Sequence, residues 1–273
     1  MLMVAERPAG PKAGEDYVVE QVDGWAVARA ALPAGCPFCE GTGRKTLEKD
    51  GITRVYKCRC QRLPDRIALF NAAKIPARHA DCTLGSFKAL DGAKNARGGA
   101  VGWLGRFRPG EENTGLVFHG GPGRGKTHLL AALVRALIFD HGVEARFVEF
   151  THLLAEIKEG YDRGAGEAKL LGPLTRVPVL AIDELGKGRK TDFELQIIDE
   201  IVTRRYNARG TILATTNFPE TRKAGEVRGD SLSVAGAETL AERLGDRVYS
   251  RLKETTQFIA VVGEDYRFTK GRT

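Results

Sequence analysis

The sequence predicts an α/β fold in which a five-stranded parallel sheet is preceded by a small zinc-binding module. Three observations predict it. From Thr114 onward short apolar runs alternate with helix-patterned stretches. A glycine-rich turn lies between the first apolar run and the first helix, and four of the five cysteines fall between Cys36 and Cys60. Alternating strands and helices build parallel sheets covered on both faces, and clustered cysteines in a reducing compartment indicate a metal more than disulfides.

Residues 1–62 form the expected N-terminal module, with many Gly, Lys and Arg and no long helical period. Cys36-Pro-Phe-Cys39 is a C-x-x-C knuckle followed by Gly41 and Gly43, and Cys58-Arg-Cys60 follows after residues 40–57. Two thiolate pairs at that separation can meet around one tetrahedral Zn²⁺, the second pair carried by a short ribbon such as Ile52–Lys57. So small a segment can hardly bury a core alone, and a metal would supply the missing folding energy. Reduced spare thiols or a redox pair are the alternative. His79 and Cys82 read as ordinary residues of the next segment.

Residues 63–113 read as a linker and helical connection. Leu63–Lys74 fits a short helix, ended by Ile75-Pro76 because a residue before proline avoids the helical region. Asp91–Asn113 is Gly-rich and basic and reads as helix fragments and loop. In residues 114–273 the strand candidates are Leu116–Phe118, Arg146–Phe150, Val179–Ile182, Ile212–Thr215 and Phe258–Val262. Helical periods place Leu130, Leu133, Leu137 and Ile138 on one face of Thr127–Asp140, and Leu195, Ile198, Ile201 and Val202 on one face of Phe193–Asn207. Pro219–Ala237 reads as an exposed loop.

The turn after the first strand, Gly120-Gly121-Pro122-Gly123-Arg124-Gly125-Lys126-Thr127, fits G-x-x-x-x-G-K-[ST] at every fixed position, and His128 onward is helical. Such a loop wraps its backbone N–H groups around phosphates at a helix N-terminus, which implies ATP as ligand. Lys126 then reaches the β- and γ-phosphates, and the Thr127 hydroxyl ligates Mg²⁺. The third strand ends Val179-Leu180-Ala181-Ile182-Asp183-Glu184, presenting two carboxylates at the crevice where α/β sheets bind ligands. Asp183 suits the Mg²⁺ water shell and Glu184 the attacking water. Asn217, at the end of the fourth strand, is placed to sense a γ-phosphate; strand-end turn chemistry is the plainer alternative. Arg247 and Arg251 lie four apart on a helix, where guanidinium groups can stabilise phosphoryl charge, often from a neighbouring subunit. A solvated basic helix face would look the same.

Lys+Arg number 42 against 35 Asp+Glu, a formal net charge of +7. That balance is compatible with nucleic acid and weak evidence for it. Two basic stretches flank the site: Lys158, Arg163 and Lys169 around Tyr161, and Lys187, Arg189 and Lys190. A cation-rich loop with an aromatic suits single-stranded DNA, although a solvated loop is equally consistent. No apolar run reaches the ~20 residues a membrane span needs, and the first residues lack a signal-peptide core. The expectation is a cytoplasmic protein without a membrane partner.

Together, Ile75-Pro-Ala-Arg78, GGPGRGKTHLLAAL from Gly120, VLAIDELG from Val179, TTNF from Thr215 and LGDRVYSRL from Leu244 resemble the AAA+ ATPases of the DnaC/DnaI type. These are replicative-helicase loaders, related to the IstB-type transposition helpers. The resemblance implies an AAA+ core without a C-terminal lid domain, Lys126 and Thr127 in Walker A, Asp183 and Glu184 in Walker B, Asn217 as sensor and Arg251 as arginine finger. It makes Arg267 a candidate substitute sensor, and it implies a homo-oligomer acting on single-stranded DNA and a hexameric replicative helicase. A transposition helper, or a nucleotide switch that scarcely hydrolyses ATP, remains the alternative.

Overall fold

The computed structural model describes residues 16–31, 36, 38–49, 51–88, 93–221 and 238–266. Its first element is a hairpin, β1 (Tyr17–Val22) and β2 (Trp25–Ala30), turned at Asp23-Gly24 with both residues at positive φ. Asp-Gly supplies that turn because both positions favour left-handed backbone. The hairpin does not join the cysteine segment. Ala26 and Ala28 are buried in the same core as Phe70 and Leu133. Asn71 clasps Ala28, accepting from its N–H at 2.7 Å and donating to its carbonyl at 3.2 Å, and Tyr17 stacks on Phe139 at 3.7 Å. A boundary at residue 62 therefore does not part this hairpin from the core.

The cysteines sit at the base of a second hairpin, β3 (Arg44–Lys49) and β4 (Ile52–Lys57). Cys58 then N-caps α1 (Arg59–Ala73), so the cysteine site is continuous with a helix of the core. α1 ends on Lys74 in the left-handed conformation, directly before Ile75-Pro76.

Where sequence patterning predicts fragments, residues 94–106 form one helix, α2 (Lys94–Arg106). Ala96, Ala100 and Trp103 make its buried stripe, and a Cβ at Gly99 would stand 2.7 Å from the Ile259 side chain. The glycines that weaken the helical signal thus permit close packing.

The central sheet comprises β5 (Gly115–His119), β6 (Ala145–Glu149), β7 (Val179–Asp183), β8 (Thr211–Thr216) and β9 (Thr256–Ala260), all parallel, in the order β6-β7-β8-β5-β9. The second and fifth strands begin earlier than their apolar runs suggest: Phe150 already starts α4 (Phe150–Asp162), and Val261 follows β9. Every residue of β7 and β8 is buried, because helices cover both faces. On one face α1, α2 and α3 (Lys126–Ala136) pack with Leu116, Phe118 and Ala181; on the other α4, α5 (Glu167–Arg176), α6 (Asp192–Asn207), α7 (Leu240–Leu244) and α8 (Asp246–Thr255) pack with Val117, Leu180 and Ile182. The helix expected over residues 127–140 runs as α3 only to Ala136 and closes in a wider π turn, Leu137–His141, capped by Gly142 at φ 68°. Residues 222–237 of the expected loop lie outside the described residues. None of the described helices is long and apolar enough to cross a membrane.

Candidate functional site

β5 delivers the glycine-rich loop to the edge where the sheet order reverses, and α3 starts at Lys126. Gly125, the helix N-cap, holds φ 86°, and a Cβ there would also meet the Phe87 ring at 2.6 Å, so only glycine fits. The buried Lys126 ammonium donates to the Gly121 carbonyl at 2.7 Å, inside the loop itself. Gly120, Pro122 and Gly123 carry the loop across its turn, with the Arg124 guanidinium lying over Gly121. His128 points elsewhere: its Nε2 lies 2.9 Å from the Thr83 carbonyl and its ring meets Phe87 edge-on. Burial holds its pKa below the ordinary histidine value, and the Thr83 hydrogen bond opposes that.

Beside the loop, β7 ends on Asp183, which is only 2% exposed. One of its carboxylate oxygens accepts from Thr127 Oγ1 at 2.9 Å and from Thr215 Oγ1 at 2.5 Å. Burial raises the Asp183 pKa; the two hydroxyls and the charge of Arg78 pull it down, while Glu184 pushes it up. A buried carboxylate beside a threonine hydroxyl is a hard-oxygen donor set, of the kind that suits Mg²⁺.

Glu184 takes φ 56°, left-handed backbone that a residue with a side chain adopts only under constraint. The constraint comes from β8. Thr215 accepts the Glu184 N–H on its hydroxyl at 2.9 Å and the Leu185 N–H on its carbonyl at 2.7 Å, while Thr216 Oγ1 donates to Leu185 O at 2.8 Å. The half-buried Glu184 carboxylate receives the Lys187 ammonium at 2.5 Å. Thr215 is the residue that sequence reasoning overlooks, since Thr-Thr-Asn reads only as a polar strand end. Half-buried Asn217 follows at the end of β8.

The arginines are placed differently. Arg251 lies against α6, on Asp199 at 3.3 Å and on the Thr203 hydroxyl, with its guanidinium over the Tyr206 ring. Arg247, 67% exposed, approaches the same Asp199 at 3.6 Å. Among the described residues, the side-chain contacts of both arginines are with α6 and not with the phosphate loop of their own chain. Arg267 lies outside the described residues, but its neighbours reach the loop: Tyr266 N–H donates to Gly123 O at 3.0 Å, and the Asp265 carboxyl occupies the space a Cβ on Gly123 would need. Tyr161, expected in a loop, is on α4, its ring edge-on to Phe193 at 6.4 Å.

Away from this site, Cys36, Cys39, Cys58 and Cys60 bring their sulfurs within 4.8 Å of one another. Cys36 and Cys58 are 3.8 Å apart and Cys39 and Cys60 3.6 Å, close to the ~3.8 Å edge of a tetrahedron with Zn–S near 2.3 Å. Burial pushes the Cys39 thiol up, but the Gly43 N–H at 3.2 Å and the neighbouring sulfurs outweigh it and hold it at about 7. Burial and the same sulfurs push Cys60 up to about 12. Four cysteines so arranged are positioned for a metal ion. Cys82 is not among them; it lies 3.7 Å from His79 Nδ1.

The family model for IstB-like ATP binding protein matches residues 65–272. The chain belongs to this family of ATP-binding proteins. Within the family it is similar to the replicative helicase loader DnaC of Escherichia coli strain K12, 26% identical over 186 residues, which cover 67% of this chain and 68% of that one. The DnaC loader of Buchnera aphidicola subsp. Acyrthosiphon pisum is 34% identical over 101 residues, covering 36% of this chain and 41% of that one. Among solved structures, the crystal structure of the DnaC helicase loader superposes with a TM-score of 0.57 at 30% identity, over 68% of this chain and 99% of that one. DnaI, at 24% identity and a TM-score of 0.53 over 70% and 93%, shares the fold. The core is therefore a DnaC-like AAA+ fold, and both hairpins precede the residues matched by the family model.

Proposed function

We propose that this protein hydrolyses ATP to load a ring-shaped replicative DNA helicase onto DNA. One observation carries the reading. Thr127, Asp183, Thr215 and Glu184 form a single hydrogen-bonded array beside the phosphate loop, in a chain of which 68% superposes on the crystal structure of the DnaC helicase loader at 30% identity. The loop's backbone N–H groups and Lys126 bind the phosphates. Thr127 and Asp183 would hold Mg²⁺, which when bound neutralises phosphate charge. Glu184 orients a water whose oxygen bonds to the γ-phosphorus as the β–γ bridging P–O bond breaks. The water's proton passes to the Glu184 carboxylate, leaving ADP and phosphate. In this reading Asn217 hydrogen-bonds the γ-phosphate, and Arg251 serves the site of a neighbouring copy in an oligomer.

In this reading the basic residues after Glu184 follow single-stranded DNA, and the four cysteines bind Zn²⁺ in a ribbon that meets the helicase. Residues 114–273 are the ATPase, working in the cytoplasm. The transposition-helper alternative is not adopted, because the named relatives are helicase loaders.

The test is capture from native extract with the Glu184→Gln protein and ATP, which holds the nucleotide-bound assembly. Recovery of a replicative helicase, lost when Cys36 and Cys39 are both changed to Ser, is the expected result. Recovery of a transposase, or of no helicase, would overturn the loader assignment.

A further inference from the structure

The sheet of β3 and β4 has two strands only, and a lone hairpin of that size is marginal in water. This one is held at its base. Cys36 and Cys39 lie before β3, Cys58 and Cys60 after β4. Cys58 N–H donates to Gly43 O at 2.8 Å, and Gly43 N–H to Cys39 Sγ at 3.2 Å. The strands therefore run from the cysteine cluster into solvent, and every residue of β4 is exposed. Of the nine large apolar side chains exposed among the described residues, five belong to this module: Phe38, Leu47, Ile52, Val55 and Tyr56. Exposed apolar residues scattered singly are ordinary, whereas a cluster of them marks a surface that binds.

The register sorts these residues by face. Lys45 pairs with Tyr56 and Leu47 with Arg54, and directly paired residues point to the same side. Lys45, Leu47, Ile52, Arg54 and Tyr56 therefore share one face. Glu48, the one acidic residue of the two strands, pairs with Thr53 on the other, with Val55. The Lys45 ammonium also lies over the Phe38 ring, 5.0 Å from its centroid, which brings a second aromatic to the Tyr56 end of the face. We propose that this face binds single-stranded DNA, Tyr56 and Phe38 stacking on bases while Lys45 and Arg54 take neighbouring phosphates. The inference rests on DNA being a partner of the protein, and adds a contact apart from the loop after Glu184. Charge complementarity selects the occupant: an ammonium and a guanidinium beside two rings, without a carboxylate, match the alternation of phosphate and base along an unpaired strand. A duplex offers the phosphates but hides the faces of its bases. Rings carried on a ribbon fastened at its base are already ordered, so little conformational freedom is lost on binding. The opposite face, with Val55, is left for the helicase.

The experiment measures binding of a fluorescent single-stranded oligothymidylate to the full chain without nucleotide, by anisotropy across a salt series. Each variant is first checked for wild-type zinc content and Tm. Tyr56→Ala is expected to weaken binding at least about fivefold, the loss of one base stack, and Tyr56→Phe to restore it. Lys45→Gln with Arg54→Gln should flatten the plot of log affinity against log salt by about 1.4, two phosphate contacts at ~0.7 each. An oligonucleotide bearing 5-iododeoxyuridine should photocross-link to Tyr56 or Phe38. Tyr56→Phe as weak as Tyr56→Ala, an unchanged salt slope, or cross-links found only outside residues 36–60 would each overturn the proposal. So would ribbon variants that keep wild-type DNA affinity but no longer capture a protein partner, since that would give this face to a protein. Failure of the underlying reading looks different: the wild-type chain, with ribbon and loop both intact, would bind no single-stranded DNA at all.

Discussion

Replacing Thr215 by Val tests whether the strand between the phosphate loop and the acidic pair organises both. The side chains are nearly isosteric, the site is 1% exposed, and the hydroxyl has two partners: the Asp183 carboxylate at 2.5 Å and the Glu184 N–H at 2.9 Å. Losing a hydrogen bond to a charged group costs about 1.5–3 kcal/mol, and leaving a buried N–H without an acceptor about 1–3 kcal/mol. Taking values toward the lower ends gives about 3 kcal/mol, which for a chain of this size corresponds to about 6–12 °C in Tm. Turnover should suffer more than stability, because a carboxylate misplaced by about 1 Å costs about a hundredfold in rate. Thr215→Ser keeps the hydroxyl and loses one methyl, about 1 kcal/mol. Urea and thermal melts with steady-state hydrolysis decide the matter. A valine variant within about 0.5 kcal/mol of wild type, or one indistinguishable from the serine variant, would refute the argument.

Arg205 is fully buried and donates to the carbonyls of Leu174, Val177, Pro178 and Thr211 at 2.7–3.0 Å; burial lowers its pKa to about 10. Arg205→Met should therefore cost about 3 kcal/mol or more by leaving those acceptors unpaired, and a melt like wild type would contradict this. Elemental analysis should find one zinc per chain, and a disulfide reagent at pH 8 should count four thiols only after chelation. Cys82, pushed up to about 12 by burial, should stay silent until unfolding; its reaction in the native chain would count against this packing. Asp183 has a folded pKa raised above its unfolded value, so its ionised form weakens the fold at neutral pH, and that penalty fades as pH falls through the folded pKa. Asp183→Asn should accordingly raise the Tm of the nucleotide-free protein at pH 7 and abolish the further rise with Mg²⁺ and ATP, whereas a lower Tm would reverse the sign of the argument.

Much of this architecture is legible in the chain because its signals are local. Val179–Ile182 is an unbroken apolar run since it crosses a sheet covered on both faces, and the glycine-rich turn carries its chemistry in fixed spacing. Ile52–Lys57 is both the expected ribbon and β4. What escapes reading depends on contacts distant in sequence. Ala26 and Ala28 are too small to announce a core, although Asp23-Gly24 is a hairpin signal in plain view. Gly98, Gly99, Gly102 and Gly105 mask α2, whose stability comes from packing that includes Ile259. Thr215 looks like any strand threonine until the sheet order sets it beside Asp183. Asp265 and Tyr266 become neighbours of Gly123 only once β9 lies next to β5.

That sheet order bears on how the site can transmit a signal. β8 stands between β5 and β7, so its last residues are hydrogen-bonded both to the phosphate loop and to the acidic turn, beside the direct Thr127–Asp183 bond. Gly120 N–H reaches Thr216 O at 3.3 Å on one side, and Thr215 and Thr216 hold Asp183, Glu184 and Leu185 on the other. A γ-phosphate contacting Asn217 would act on a residue covalently joined to both sets of bonds. Loss of that phosphate would be felt at once by the loop that bound it and by the turn that bears Lys187. If Asn217 senses the γ-phosphate, the link between nucleotide state and the basic loop would run through three consecutive residues, Thr215 to Asn217, with no need of a longer path through the core. Variants along it should uncouple DNA response from ATP binding, whereas changes of similar cost in the α1–α3 layer should lower stability and leave that coupling intact.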